Sequence, residues 1–408
     1  MRNILKDRRF FVFKAGSVGF VAIALALLCV FSCNNLLVLG GGSLVIAMPG
    51  TRAATASRFT IELTGTNGTT QSKTLAGGTT TAQFDDLAPD TYDIIVKGID
   101  EAGAIVLGGS SSATVVAGKT ASTTVELVEV VNNFDSLQQA MTAGGTVYVV
   151  NDITVTESLI INQDVIIRAL NKDVTLNFTA NSGSLFTVTN SATLTIGGGD
   201  YRLTVDGKEQ TRGVALLQIK GGTVDLYGTI TNGVNNDSAG GIKVNGSSST
   251  LNMYDGAIVS NCRCSNEWGI GGAIGLESGT MNMYGGSITG NSAQDASAVY
   301  VNDQSVFTMS GGTISGNSND IAINISSSTF KIGGGALISS DDKVSLKKSP
   351  ITIISPLSSS SSVATITLKD GFSSGSSVLI AENGVTLADE VGKFVLTSGT
   401  IKSDGTLQ

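Results

Sequence analysis

Histidine is absent from the 408-residue chain, and cysteine and proline occur only four times each. A catalytic triad built on histidine is therefore excluded. A structural zinc site normally takes four nitrogen or sulfur ligands, and a chain without histidine and without a second cysteine pair in its folded part lacks them. We predict no metal site and no cofactor.

Charged residues are also scarce, at 14% of the chain, and leave a formal net charge of −8 and a pI near 4.7. Nucleic acids and anionic membrane surfaces bind basic patches, so neither is expected as a partner. Aromatic residues make up 5% of the chain, whereas 51 residues are glycine. The glycines fall in pairs within β-branched runs, which predicts short strands joined by tight turns.

The N-terminus has the features of an export signal. Basic residues precede the apolar run Val18–Phe31, which is shorter than the roughly 20 residues of a transmembrane helix. The run ends in Val30-Phe31-Ser32-Cys33, which resembles the lipobox of bacterial lipoproteins. The resemblance implies a signal peptide with lipobox over residues 1–33, and acylation of Cys33 that anchors the protein to a membrane. Cleavage near Ala53-Ala54, which gives a soluble secreted protein, and an uncleaved signal anchor are the alternatives.

Few cysteines remain for the folded part. Cys29 leaves with the signal peptide and Cys33 is acylated, so only Cys262 and Cys264 are left. Two positions apart in a strand, their side chains point the same way. A strained local disulfide is the alternative to our prediction of two buried free thiols.

Residues 57–130 are predicted to form a small β-sandwich, preceded by a linker over residues 34–56. Apolar and polar residues alternate in Phe59–Leu63 and in Tyr92–Val96, as in half-buried strands. Turn residues separate these runs at spacings typical of an immunoglobulin-like module. The segment Leu87–Tyr92 resembles the corner before a late strand in fibronectin type III and transthyretin-like modules. The resemblance implies a spacer between the membrane and the next domain.

A right-handed parallel β-helix is predicted over residues 131–350, with residues 351–408 forming its last turns and a C-terminal cap. It starts with Phe134–Met141, whose apolar residues have helical spacing, followed by the strand Thr146–Val150. An amphipathic helix here covers the exposed edge of the first turn. A helix followed by short strands resembles the opening of pectate-lyase-like β-helices.

Internal repetition is the strongest indication of this architecture. Five similar segments each contain an aligned apolar residue, and these residues are Ile230, Ile258, Ile288, Ile314 and Leu337. Their spacing of 23 to 30 residues is about one turn of a three-sided β-helix. Strand alternation points one set of side chains inward. This set comprises Leu251, Met253, Met281, Met283, Phe307 and Met309.

Asparagine recurs three positions after the aligned apolar residue, at Asn261, Asn291 and Asn317. Like residues at like positions stack from one turn to the next, so we predict an internal ladder of hydrogen-bonded amides. Its role is structural rather than catalytic.

Tyr227, Tyr254 and Tyr284 have the opposite parity, which predicts that they point outward on successive turns about 4.8 Å apart. Their polar neighbours of the same parity are Asp225, Asn252 and Asn282. Such a column can stack against sugar rings while the polar neighbours bond sugar hydroxyls. In the alternative interpretation the tyrosines stack on one another and only stabilise the sheet.

The repeats Gly271–Ile274 and Gly285–Ser292 resemble those of polymorphic outer-membrane proteins and related adhesin-like surface proteins, over roughly residues 133–340. The resemblance implies a surface protein of the cell envelope, exposed at the outer membrane. Its expected partners are a carbohydrate or a protein on a host or neighbouring cell. Because the remaining residues leave no room for the membrane barrel of that family, the lipid is expected to serve as the anchor.

The alternative function is a β-helix polysaccharide lyase or another carbohydrate-active enzyme. Glycoside hydrolysis needs two carboxylates at a fixed separation, and tandem pairs such as Asp341-Asp342 send neighbouring side chains to opposite faces of a strand. A lyase with a basic residue as catalytic base has only scattered candidates, which are Arg168, Arg202, Arg212 and Lys220. Without a catalytic constellation, we predict a binding protein rather than an enzyme.

Overall fold

A computed structural model describes residues 40–49, 56–266, 271–318, 321–326 and 328–408. The predicted signal peptide, Cys33 and part of the predicted linker lie outside these residues. The described residues are all-β, with 52% strand and 5% helix, and residues 40–408 form one compact unit. Small sheets on the N-terminal side precede a parallel β-solenoid of about nine turns, which confirms the predicted fold class.

Eight strands form the N-terminal sandwich. They are β1 (Gly42–Ala47), β2 (Arg58–Gly65), β3 (Thr70–Ala76), β4 (Thr81–Leu87), β5 (Asp90–Ile99), β6 (Ile105–Val115), β7 (Thr120–Thr124) and β8 (Val128–Glu129). One sheet has the order β4-β1-β7 and the other the order β3-β2-β5-β6-β8. Alternate residues of both sheets, such as Leu44, Phe59 and Ile94, share one buried core.

Strand β1 corrects the predicted linker. It pairs antiparallel with β4 and parallel with β7, so it is the central strand of its sheet. Leu44, Ile46 and Met48 alternate with half-buried residues and are completely buried. The linker prediction over residues 34–56 is therefore wrong for Gly42–Ala47, because these residues hold the smaller sheet together.

Helix α1 (Phe134–Ala143) covers the first turn of the solenoid, and this confirms the predicted helix. Asn133 caps its N-terminus, where the side-chain Oδ1 accepts a hydrogen bond from the Ser136 amide at 2.9 Å. Leu137 and Met141, one turn apart, are buried against the strands below. The helix thus covers apolar residues at an end that has no preceding turn.

Three parallel sheets make up the walls of the solenoid. Sheet 1 comprises β10 (Ile153–Val155), β13 (Val174–Phe178), β16 (Leu203–Asp206), β20 (Thr229–Thr231), β24 (Ile258–Ser260), β28 (Ser287–Thr289), β31 (Thr313–Ser315) and β34 (Leu337–Ile338). Sheet 2 comprises β11 (Leu159–Ile161), β14 (Phe186–Thr189), β18 (Leu217–Lys220), β22 (Ile242–Asn245), β26 (Ile274–Glu277), β29 (Val299–Asn302), β32 (Ile321–Ser326), β35 (Lys343–Lys347), β37 (Ala364–Leu368) and β39 (Phe394–Leu396). Sheet 3 comprises β9 (Gly145–Val149), β12 (Val165–Ala169), β15 (Thr193–Ile196), β19 (Thr223–Leu226), β23 (Thr250–Met253), β27 (Thr280–Met283), β30 (Val306–Met309), β33 (Thr329–Gly334), β36 (Ile351–Leu357) and β38 (Leu379–Ala381). A short fourth sheet contains β17 (Thr211–Arg212), β21 (Val234–Asn235) and β25 (Arg263–Cys264).

The side chains predicted to point inward from sheet 3 do so. Leu251 pairs in register with Met281, and Met281 with Phe307, and all three are completely buried. The same holds for the column Met253, Met283 and Met309. Residues two apart in a strand share a face, so one apolar column per position builds a continuous core through the solenoid.

Two of the aligned apolar positions are wrong by one residue. Val259, not Ile258, pairs with Ile288, and Ile338, not Leu337, pairs with Ile314. Val259 and Ile338 are buried, whereas Leu337 is 39% exposed. In both turns, the segment between the sheet 3 strand and the inward residue of sheet 1 is one residue longer than in the two turns that lie between them. The inward position is therefore taken by the following residue of the sequence.

The internal ladder also differs from the prediction. Asn291 donates to the Oδ1 atom of Asn317 at 2.9 Å, and Asn317 donates to Oδ1 of Asp342 at 2.9 Å. Asn261 is exposed and has a φ of 52°, so it is not a member. The backbone amide of Cys262 takes its place and donates to Asn291 at 2.9 Å. The longer corner before Val259 accounts for this shift.

Both cysteines are buried and neither forms a disulfide, as predicted. Burial raises the pKa of the Cys262 thiol to about 12. A neutral thiol is a poor nucleophile, so Cys262 serves as a small core residue.

The C-terminal residues add turns and then close the solenoid. Strands β36 and β38 extend sheet 3, while β37 and β39 extend sheet 2. Helix α2 (Leu387–Glu390) and a 3₁₀ turn (Val391–Lys393) lie before β39. Glu390 is buried and accepts hydrogen bonds from the Leu357 amide and from Lys393 Nζ. Within the described ranges, no helix has both the length and the apolar composition needed to cross a membrane.

Candidate functional site

Tyrosines form a column on the outer corner where sheet 3 ends. Tyr227, Tyr254 and Tyr284 each follow the last residue of a strand, and those three strands pair in register. The rings of Tyr227 and Tyr254 are 4.4 Å apart between centroids with an interplanar angle of 5°, and those of Tyr254 and Tyr284 are 5.3 Å apart at 27°. These separations match the spacing of parallel strands, about 4.8 Å, so neighbouring turns bring the rings into contact.

The rings cover one another's faces. At these separations no sugar ring fits between two tyrosines, so a saccharide can stack only on a ring face that no other tyrosine covers. The geometry corresponds to the alternative, an aromatic ladder that stabilises the sheet. Tyr227 and Tyr254 are half-buried, but Tyr284 at the end of the column is 49% exposed.

The polar neighbours form a ladder of their own. Asn252 donates to Oδ1 of Asp225 at 2.8 Å, and Asn282 donates to Oδ1 of Asn252 at 2.9 Å. These side chains therefore bond each other before they bond any ligand. Asn282 ends the ladder on the same turn as the exposed ring of Tyr284.

Position in the column also determines the ionisation of a tyrosine. Burial between its neighbours raises the pKa of Tyr254 to about 12, and the carboxylate of Asp225 and the adjacent phenols add to this shift. The ordinary value is 10.0. Folding thus favours the neutral phenol of Tyr254.

We expect a matching dependence of stability on pH. Because the pKa in the folded state lies above the ordinary value, the contribution of Tyr254 to stability is fully present below pH 10 and is lost as the pH rises towards 12. The absorbance of phenolate is titrated with pH in the wild type and in Tyr254→Phe, and the difference between the two curves gives the ionisation of Tyr254. The difference between the two curves is expected near pH 12, and a difference centred near pH 10 would contradict it.

A second feature lies at the other end of the column. On the preceding turn, Gly197 lies at the position equivalent to Tyr227. It begins a loop of three glycines, Gly197–Gly199, that leads to Asp200. A Cβ atom on Gly198 would lie 3.4 Å from the Tyr227 ring, so the loop backbone rests on that ring. A shallow cavity of about 360 Å³ adjoins the loop, and Tyr227, Asp173 and Arg202 contribute to its lining.

Three of the four basic residues considered for a lyase lie in different environments. Arg212 is 1% exposed, and its guanidinium donates to four backbone carbonyls and lies 4.7 Å from the ring of Phe178. Lys220 lies exposed at the end of β18, and Arg202 donates to Thr229. Among the residues that the structure describes, no group of three or more acidic or cysteine side chains could hold a metal ion.

The tandem pair Asp341-Asp342 is separated as expected. Asp342 is completely buried inside the solenoid, whereas its neighbour Asp341 is exposed. Asp341 and Asp342 therefore do not share a face.

No protein-family model, curated protein or solved structure matches the chain. The resemblances to polymorphic outer-membrane proteins, pectate-lyase-like β-helices, fibronectin type III and transthyretin-like modules therefore stay predictions from short motifs.

Proposed function

We propose that the chain is a lipid-anchored, adhesin-like protein of the bacterial cell surface, whose β-helix binds saccharide chains at the open end of the tyrosine column. The β-helix fold is compatible with such a role. Its long walls and corner loops offer a large surface, and the scarcity of charge favours uncharged partners over nucleic acid.

The exposed ring of Tyr284 is the observation that carries the saccharide proposal. Its inner face stacks on Tyr254, while the next turn has Ser310 at the same position, which is too small to cover the outer face. An exposed aromatic face binds the apolar face of a sugar ring. Asn282 lies two residues before Tyr284 and has the same parity, so its amide is on the same side to bond sugar hydroxyls.

Binding to a glycan array tests this proposal. Replacing Tyr284 with alanine removes the ring face, and we expect affinity for the bound glycans to fall about tenfold, since aromatic stacking contributes up to about 1.5 kcal/mol. Tyr284→Trp keeps a ring face and is expected to keep binding. Ile160→Ala is the matched control, because Ile160 is 65% exposed on sheet 2 and outside the column. Equal binding by wild type and Tyr284→Ala would refute the proposed site.

Acylation of Cys33 is the second part of the proposal. It is supported by the lipobox-like Val30-Phe31-Ser32-Cys33 at the end of an apolar run that follows basic residues. Two or three acyl chains on one residue suffice for a stable membrane anchor.

Radiolabelled palmitate and detergent phase partition test the anchor in cells. We expect the wild type and the control Cys29→Ala to take up label and enter the detergent phase, and Cys33→Ala to take up none. The Cys29→Ala control tests whether acylation is specific to Cys33 or also occurs at the other cysteine of this segment. Label retained by Cys33→Ala, or a wild type found unlabelled in the aqueous phase, would exclude acylation at Cys33.

A further inference from the structure

A cavity of about 490 Å³ lies where the sandwich meets the first turns of the solenoid. Strands β5 and β6 of the sandwich form one wall, and the ends of β9 and β12 with the glycine loop form the other. Its polar lining includes Asp93, Ser112, Tyr148, Arg168 and Asp200. We call it the seam cavity.

The seam cavity is held in shape by contacts beside it. Tyr148, Val150 and Leu170 of the solenoid form a small apolar cluster with residues of β5, β6 and β8. The hydroxyl groups of Tyr148 and Ser110 form a hydrogen bond of 2.9 Å between the two parts of the chain. A cavity between two firmly packed parts of a chain, with a few convergent polar groups, is a usual form of small-ligand site.

Two carboxylates from distant parts of the sequence face this cavity. Asp93 belongs to β5 and Asp200 follows the glycine loop. Partial desolvation of the carboxyl group raises the pKa of Asp200, and the negative charge of Asp93 adds to this effect. Both carboxylates line the cavity, and each is an acceptor that a ligand can satisfy with a hydroxyl donor.

Arg168 contributes the complementary group. Its Nε atom is buried and has no hydrogen-bond partner among the described residues. A buried donor without an acceptor costs roughly 1–3 kcal/mol. A ligand that brings an acceptor oxygen to Arg168 would remove this cost.

These groups together select the chemistry of the ligand. A phosphate or sulfate would be repelled by Asp93 and Asp200. An amine would pair with the carboxylates but has no acceptor for the buried Nε atom of Arg168. A neutral ring with several hydroxyl groups donates to carboxylates and accepts from a guanidinium at once. We infer that the seam cavity binds a neutral saccharide, with Asp93, Asp200 and Arg168 as its polar contacts.

The seam cavity is distinct from the exposed end of the tyrosine column. The cavity beside Tyr227 shares Gly198, Gly199, Asp200 and Tyr201 with the seam cavity, so the two adjoin at the glycine loop. Tyr284 is two turns further along the column, beyond Tyr227 and Tyr254. Saccharide binding at the seam therefore does not depend on binding at Tyr284.

Calorimetric titration of the full-length protein in detergent with short neutral gluco-, manno-, galacto- and xylo-oligosaccharides tests the inference. We expect at least one of these probes to bind, and Asp200→Asn and Arg168→Gln each to weaken that binding at least tenfold. Asp370→Asn is the matched control, because Asp370 is an exposed carboxylate outside the cavity. Thermal melting of each variant checks that the fold is intact.

The outcomes separate the two sites. Binding that is lost in Asp200→Asn and Arg168→Gln but kept in Tyr284→Ala supports the seam as the site of that probe. Binding that is lost only in Tyr284→Ala supports the column and overturns the seam. The seam inference is also overturned if none of the four probes binds, or if Asp200→Asn binds as tightly as the wild type.

Discussion

Replacement of Asn317 by leucine is expected to lower the free energy of unfolding by about 3 kcal/mol, because a hydrogen bond to a charged group contributes about 1.5–3 kcal/mol and the buried donors of Asn291 lose their acceptor. The backbone amide and side chain of Asn317 both donate to Asp342, whose carboxylate is completely buried. Asn317 also accepts hydrogen bonds from the amide and side chain of Asn291. Leucine has similar volume and keeps the backbone amide, but it lacks the side-chain donor to Asp342 and the acceptor for Asn291.

Urea unfolding followed by circular dichroism measures the effect. The matched control is Asn245→Leu, an exposed asparagine on β22, which we expect to change the free energy of unfolding by no more than about 0.5 kcal/mol. Equal stability of Asn317→Leu and the control would mean that the inner ladder does not stabilise the solenoid.

Replacement of Arg212 by methionine is expected to cost about 3 kcal/mol, because hydrogen bonds to a charged group contribute about 1.5–3 kcal/mol and their acceptors stay buried. The guanidinium donates at 2.9 Å to the carbonyl oxygens of Phe178, Ala180, Gly207 and Gln210. These carbonyls come from two successive turns, so one side chain ties the turns together. Methionine fills most of the volume but donates nothing.

Two further variants isolate the role of the guanidinium. Arg263→Met is the control, because Arg263 lies in the same short sheet as Arg212 but is exposed, and its loss is expected to leave the melting temperature nearly unchanged. Arg212→Lys is expected not to restore stability, since an ammonium group lacks the planar fork that reaches several carbonyls. Wild-type melting of Arg212→Met would show that the hydrogen bonds of Arg212 are replaceable by water.

The core of sheet 3 could be predicted because strand alternation alone decides which side chains point inward. The alignment of residues that follow a corner could not be predicted in this way. Ile258 and Val259 are both apolar, so either residue suits the core, and the sequence contains no sign that the preceding corner has one extra residue. The same single shift made Asn261 appear equivalent to Asn291.

Strand β1 was missed for a different reason. Its alternation in Leu44, Ile46 and Met48 is short and lies shortly after the apolar export segment, where it is hard to distinguish from further apolar residues. Its partners β4 and β7 are far along the chain, and pairing over such a distance leaves no local pattern. The seam cavity is a similar case, since only tertiary packing brings Asp93 to Asp200.

The two ladders have direction. In the outer ladder each amide donates towards Asp225, at the N-terminal end, and in the inner ladder each donates towards Asp342, at the C-terminal end. A carboxylate only accepts, so an aspartate can end such a chain but cannot continue it. Turns of near-identical sequence would otherwise be interchangeable partners during folding. If the strands of two turns paired one turn out of register, an aspartate would occupy a position where a hydrogen-bond donor is needed. The two aspartates therefore favour one pairing partner for each turn.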